Sequence, residues 1–325
     1  MVEETSVDFS KLTRDYEEIT VPAPWGHIAG KWWGPRDVQP VLAMHGWQEN
    51  ANAWDPLMNL MPADISFLAV DMPGNGRSSH YPDNPTWFHA SEDLVALRVL
   101  IRHFQWSEPV TFLSHSYSTG QAYMYAASYP EEVKKVISID MVTPVGISME
   151  RFASSGGARL DKIIDIVDKK RNRAEKTLEQ HADDYSKATN NSISAAASKH
   201  ILERSMKRTD SNLFRSTRDG RVSIRFYFSF PNDFLLEMGK RIRCEYYVIL
   251  ATLPIFTDRV ELMFKTENVL REGAKRFEIV KVNGTHHVHI DHPERVLKPI
   301  LRWLRNNDQA EIIAAQPNVL NKGKI

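Results

Sequence analysis

A mostly parallel α/β sheet with helices on both faces is the fold class this sequence predicts, and three observations predict it. Short, near-continuous apolar runs alternate with helical patterns over residues 65–140. The alternation resumes at residue 244 and continues to 306. Between the two, it disappears. A strand covered on both faces shows no polar alternation, because each face meets a helix; a strand with one wet face would show a period of two.

The elements follow in order. "EEITVPAPWG", "HIAGKWWG" and "PVLAMHG" read as three short strands, each bounded by Gly or Pro. "ISFLAVDMPG" (65–74) reads as a buried strand. "SEDLVALRVLIRHF" (91–104) reads as a helix with Ser91 as N-cap and acidic residues in its first turn, where they complement the helix dipole. A strand "PVTFLS" (109–114), a helix over "TGQAYMYAASY" and a strand "KKVISID" (134–140) follow. Residues 151–225 then hold 17 Lys+Arg against 10 Asp+Glu, a net of +7, with helical spacing at Leu160, Ile163, Ile164 and Val167. Strand patterns return at "CEYYVILAT" and "RFEIVKV", and "PERVLKPILRWLRN" reads as an amphipathic closing helix. The expected organisation is a core in two parts, 1–144 and 236–308, interrupted by a helical cap insertion over 145–235, with 309–325 as a tail.

Composition narrows the function classes. Apolar residues are 42% and charged residues 25% of 325, ordinary for a soluble globular protein. Zero formal net charge gives no global attraction to nucleic acid, and no run approaches the 18 apolar residues of a membrane span. Cys244 stands alone, and the acidic start "MVEETSVDFSKLTRDYEEITV" has no apolar segment of the signal-peptide kind. A cytoplasmic location is the expectation. The final Gly-Lys-Ile is a distant relative of the peroxisomal Ser-Lys-Leu ending, the weaker alternative.

The chemistry-bearing segment is "FLSHSYSTG" (112–120), between a predicted strand and a predicted helix. Ser116 is flanked two positions away by Ser114 and Ser118. A nucleophile on a sharp strand-to-helix turn needs small flanking residues, usually Gly, and serine meets the same steric demand. The turn would aim the Tyr117 amide at a developing oxyanion near the helix N-terminus. Upstream, His45-Gly46-Trp47 ends the third strand, where the Trp47 amide would be the second donor and the His45 ring would brace the loop.

"HGWQENANAWDPL", "LAVDMPGNGRSSHYP", "FLSHSYSTG" and "VNGTHHVHIDHPE" occur in the order and spacing of the α/β-hydrolase fold superfamily. Within it, the chain resembles the insect "probable serine hydrolase" group and the vertebrate serine hydrolase-like proteins over nearly all of residues 17–305. The resemblance implies an eight-stranded, mostly parallel sheet, a helical cap and a Ser-His-acid triad acting on an ester or related acyl substrate. Three departures stand out. Ser114-His115-Ser116-Tyr117-Ser118-Thr119 replaces the family's G-H-S-x-G-G, Pro73-Gly74-Asn75-Gly76 replaces its P-G-H-G, and the Gly-x-x-Asp loop that often carries the acid is missing.

"GTHHVHIDHPE" (284–294) admits two readings. His287, His289, Asp291 and His292 spell the H-x-H-x-D-H of metallo-β-lactamase-type zinc sites, but those sites draw further histidines from later in the chain. Here the twelve histidines end at His292. The expectation is therefore no metal and no cofactor. His286 instead follows the last predicted strand, where this fold keeps its general base. His287 and His289 are assigned to packing or pocket lining. For the acid, Asp258 after "EYYVILAT" is preferred and Asp140 at the end of "KVISID" is the alternative. Asp71 reads as a loop-bracing carboxylate.

The expected function is a serine hydrolase cleaving a carboxylic ester or related acyl compound through Ser116, His286 and Asp258. Trp47, Tyr117 and His115 would line its substrate pocket. Aromatics in "FYFSFPNDFLLEM" (226–238) suggest an apolar ceiling and a small hydrophobic substrate. A hydrolase-fold binding protein for a small hydrophobic ligand is the rival, and a zinc hydrolase the second.

Overall fold

The computed structural model describes residues 7–81, 91–158, 161, 164–165, 174–223, 230–253 and 260–306. Eight strands form one sheet: β1 (Glu17–Ala23), β2 (Gly26–Trp33), β3 (Val41–Met44), β4 (Phe67–Val70), β5 (Val110–His115), β6 (Val133–Ile139), β7 (Glu245–Leu253) and β8 (Arg276–Thr285). Their order is β1-β2-β4-β3-β5-β6-β7-β8. The β1·β2 and β2·β4 pairs are antiparallel, and every other pair is parallel. Because β3 lies between β4 and β5, the strand order reverses there, and the crevice at the carboxyl ends of β3 and β5 is where such sheets bind ligands.

The sheet's residues alternate between two apolar layers, as the pleat requires. Leu42, Met44 and Phe112 belong to one layer, with Leu97 and Leu100 of helix α1 (Ser91–Phe104) and Tyr123 of α2 (Tyr117–Ser128). Ala43, Leu113 and Ile137 belong to the other, with Val296, Ile300 and Trp303 of the helix Pro293–Leu304. The spacing of those last three, at i, i+4 and i+7, gives one helical stripe.

The stretch expected to be a helical insertion holds α3 (Leu178–Ala188) and α4 (Ala195–Glu203). Thr177 and Gln180 cap α3 reciprocally, side chain to backbone in each direction, and Ser194 caps α4. It also holds β structure that the periodicity does not reveal. Met206–Arg208 pairs antiparallel with Phe214–Ser216, and Gly146–Ile147 pairs with Phe230–Pro231. The hairpin forms because Thr209 and Leu213 close a turn on Asn212, which adopts φ +65°. Of the aromatic run, Leu235 enters the core, Phe234 stacks on Phe230 and is exposed, and residues 226–229 lie outside the described residues. Helices α5 (Val260–Gly273) and α6 (Pro293–Leu304) complete the core, and no helix among the described residues is long and apolar enough to cross a membrane.

This stretch between β6 and β7 is fastened to the rest of the chain by polar contacts. Asn50 and Asn52 donate their side-chain amides to the carbonyls of Ile201 and His200, both at 2.8 Å. Arg204, just past α4, places Nε 2.8 Å from Asp71 Oδ2 and its two terminal nitrogens on both oxygens of Glu18, at 2.6 and 2.9 Å. Asp71 also accepts the amides of Ala51 and Arg77, and so braces two loops, the role its position suggested.

Candidate active site

Ser116 stands between β5 and α2, as the residue that precedes the helix, with φ +50° and ψ −118°. A non-glycine residue in that region is strained by a few kcal/mol, about 1–3, and persists only where its surroundings hold it. Here the holding is visible. Ser118 accepts the His115 amide at 3.1 Å and donates to the Met44 carbonyl on β3 at 2.6 Å. Ser114, Thr119 and Ser138 form a buried hydroxyl chain with spacings of 3.2 and 2.8 Å. The residues that replace the usual glycines are therefore small enough for the turn, and they also bond it to its neighbours.

The loop after β8 brings His286 to Ser116. Its Nε2 lies 2.7 Å from Ser116 Oγ, and its Nδ1 lies 2.6 Å from Asp140 Oδ2. All three residues are buried. A carboxylate only accepts, so Nδ1 carries the proton and Nε2 presents its lone pair to the serine hydroxyl. Asp140 follows β6 at φ +54°, and its other oxygen accepts the Ala251 amide at 2.8 Å. Burial first, and then the neighbouring His115 and His287, lower the His286 pKa to about 4 against the opposing pull of Asp140. The sequence preference for the acid was Asp258, which lies outside the described residues. The carboxylate that meets the imidazole is that of the alternative, Asp140.

The turn after β3 approaches from the other side. His45 donates from Nδ1 to the Gly46 carbonyl at 2.7 Å and accepts the Met72 amide at Nε2 at 3.1 Å, so its ring braces the loop. Trp47 Nε1 donates to the Val222 carbonyl at 3.1 Å, and Arg218 donates to the Gln48 carbonyl at 3.2 Å. Asp219 donates its amide to the carbonyl of Gly74, in the loop after β4, at 2.8 Å. Residues 218–222 thus grip both loops that flank the elbow. A narrow pocket beside Ser118 is lined by Trp47, Met72, Tyr117, Gln121 and Val222. His115 does not line it. As the last residue of β5 it points beneath the elbow, where it is fully buried against Glu49.

The residues spelling the zinc motif separate. His287 Nδ1 pairs with Ser192 Oγ, Asp291 accepts the Ser194 amide and hydroxyl, and His292 faces Glu294. His289 packs against Trp54. Glu49, to which no motif in the sequence points, is buried at the centre of this region.

Comparison with known proteins places this geometry in a family. Residues 39–242 match the family model described as the alpha/beta hydrolase fold. The chain is 33% identical to a Drosophila melanogaster protein named "Probable serine hydrolase", over 89% of this chain and 88% of that one. It is 30% identical to a Danio rerio "Serine hydrolase-like protein", with 92% of each covered. A crystal structure of a Pseudomonas aeruginosa hypothetical protein superposes with a TM-score of 0.75 at 20% identity, covering 90% of this chain and 98% of that one. With a reversal of strand order between β3 and β5, a strained serine directly after β5 and a family match across most of its length, the chain belongs to the α/β-hydrolase fold family.

Proposed function

We propose that the protein is a serine hydrolase that cleaves a carboxylic ester or related acyl substrate through Ser116, His286 and Asp140. The observation that carries this reading is the continuous hydrogen-bonded path from Ser116 Oγ through both nitrogens of His286 to Asp140. His286 takes the Ser116 proton as Oγ attacks the carbonyl carbon, and then gives it to the departing alcohol oxygen. An acyl-enzyme is left, which water, deprotonated by the same imidazole, hydrolyses to the acid. Asp140 holds the tautomer and offsets the charge of the imidazolium. The amides of Trp47 and Tyr117 are assigned to the oxyanion. The narrowness and partly apolar lining of the pocket favour a small hydrophobic acyl or alcohol group.

The test is labelling of purified protein by a fluorophosphonate probe. Wild type is expected to label and Ser116→Ala to lose the label. Absence of Ser116-dependent labelling would favour the binding-protein reading.

The pH dependence follows from His286. Only the neutral imidazole can accept the serine proton, and its pKa is lowered from 6.5 to about 4. The acid limb of the kcat/KM profile is therefore expected near pH 4, with little loss between pH 7 and 5.5. A limb at or above 6.5 would contradict this.

A further inference from the structure

Beneath the triad lies a buried polar group that the proposed reaction does not use. Glu49 Oε2 accepts the Gly46 amide at 2.9 Å, and Oε1 lies 2.9 Å from His115 Nδ1 and 3.4 Å from His287 Nε2. One carboxylate thus touches the oxyanion turn, the residue before the nucleophile and the residue after the base. The turn sits directly on it. A Cβ at Gly46 would come within 2.5 Å of Glu49 Oε1 and 2.6 Å of His115 Nδ1.

The protonation of His115 follows from its two partners. Nε2 lies 2.9 Å from the His286 carbonyl oxygen, which only accepts, so Nε2 carries a proton. A neutral ring would then leave an unprotonated Nδ1 2.9 Å from a carboxylate oxygen, and a second proton replaces that contact between two acceptors by one between opposite charges. Nδ1 makes no well-aligned hydrogen bond, so the contact is one of charge with charge. Burial alone would make His115 less basic, yet Glu49 raises its pKa above the ordinary value. Burial would likewise raise Glu49, but His115 and His287 hold it well below the usual carboxylate range. The titratable groups that face His115 are Glu49 from the loop after β3, Asp140 from the end of β6, and His286, His287 and His289 from the loop after β8.

We infer that Glu49 is a positioning residue for the hydrolytic reaction: it keeps His115 as an imidazolium under the elbow and joins the oxyanion turn, the nucleophile's strand and the base's loop in one register. The inference rests on the hydrolase reading above. Its electrostatic consequence has a definite sign. The His115 ring centroid is 4.8 Å from that of His286, and its positive charge opposes protonation of His286. Removing the Glu49 charge lets His115 become neutral, so His286 becomes more basic and the acid limb of kcat/KM moves to higher pH.

The experiment compares wild type with Glu49→Gln and His115→Gln, the latter keeping an amide N–H that can reach the His286 carbonyl. Each is expected to lower kcat by about 10²-fold with little change in KM. Each should raise the acid limb, and the double variant should be no worse than either alone. Nitrogen-15 imidazole spectra, independent of turnover, should show both His115 nitrogens protonated at pH 7.5 in wild type and only one in Glu49→Gln. If Glu49→Gln does not fold, His115→Gln and the wild-type spectrum carry the test. A neutral His115 in labelling-competent wild type overturns the inference alone, as does an unmoved acid limb. Stoichiometric metal in purified wild type, lost in Glu49→Gln, overturns it in favour of a metal held by Glu49, His115 and His287. Failure of wild type to label overturns the hydrolase reading and the positioning role with it, while the spectrum still reports the ion pair.

Discussion

Asp140→Asn is expected to lower kcat on a short activated ester by roughly 10⁴-fold while the protein stays folded. The substitution is nearly isosteric, and the Asn oxygen can still accept the Ala251 amide that Asp140 now holds. What changes is the group facing His286. An amide nitrogen donates where a carboxylate accepted, so Nδ1 must give up its proton to Nε2. Nε2–H then points at Ser116 Oγ, 2.7 Å away, and cannot take the serine proton. Asp258→Asn should retain nearly the wild-type rate. Steady-state kinetics of the two variants side by side decide the point. Full activity in Asp140→Asn, or a comparable collapse in Asp258→Asn, would reassign the acid.

The largest effect on stability is expected at a distance from the chemistry. Arg204→Ala should destabilise the protein by about 3–5 kcal/mol, read as a lower urea midpoint with an unchanged slope. Arg204 is buried, and it neutralises Asp71, which is fully buried, while also forking onto Glu18. Truncation leaves Asp71 with two backbone amides and, among the described residues, no ion-pair partner. Arg204→Lys should recover only part of the loss, because one ammonium cannot span two carboxylates with the geometry of a guanidinium fork. A loss below about 1 kcal/mol for Arg204→Ala would mean that water or a neighbouring cation already compensates the carboxylate.

What the sequence made legible was local. The strands of the sheet announce themselves as short apolar runs, and the eight-stranded, mostly parallel architecture follows from them and from the family resemblance. Ser116 and His286 stand out because each lies on a short loop directly after a strand. The acid is harder to read for a geometric reason. β6 and β7 are parallel neighbours, with Ile139 paired to Ile249, so both strands end on the same side of the sheet, the side on which His286 follows β8. Sequence order gives no preference between them. Glu49 was illegible because a glutamate in "HGWQEN" looks solvated, and only the fold shows that His115 and His287 converge on it from 66 and 238 residues further along the chain. The short ribbons in the insertion were hidden in turn by their length, two or three residues each, too short to show a period.

The grip of residues 218–222 on the loops after β3 and β4 bears on how relatives of this protein can be recombined. The insertion is not an interchangeable module that only selects what enters. Its Val222 carbonyl anchors the Trp47 indole, and its Asp219 amide anchors Gly74, so a chimera that imports a foreign segment there removes the mooring of the loops after β3 and β4. Grafts that keep residues 218–222 from this chain should retain turnover and shift selectivity. Grafts that replace them should lose turnover on every substrate alike, a distinction that a small panel of esters would expose.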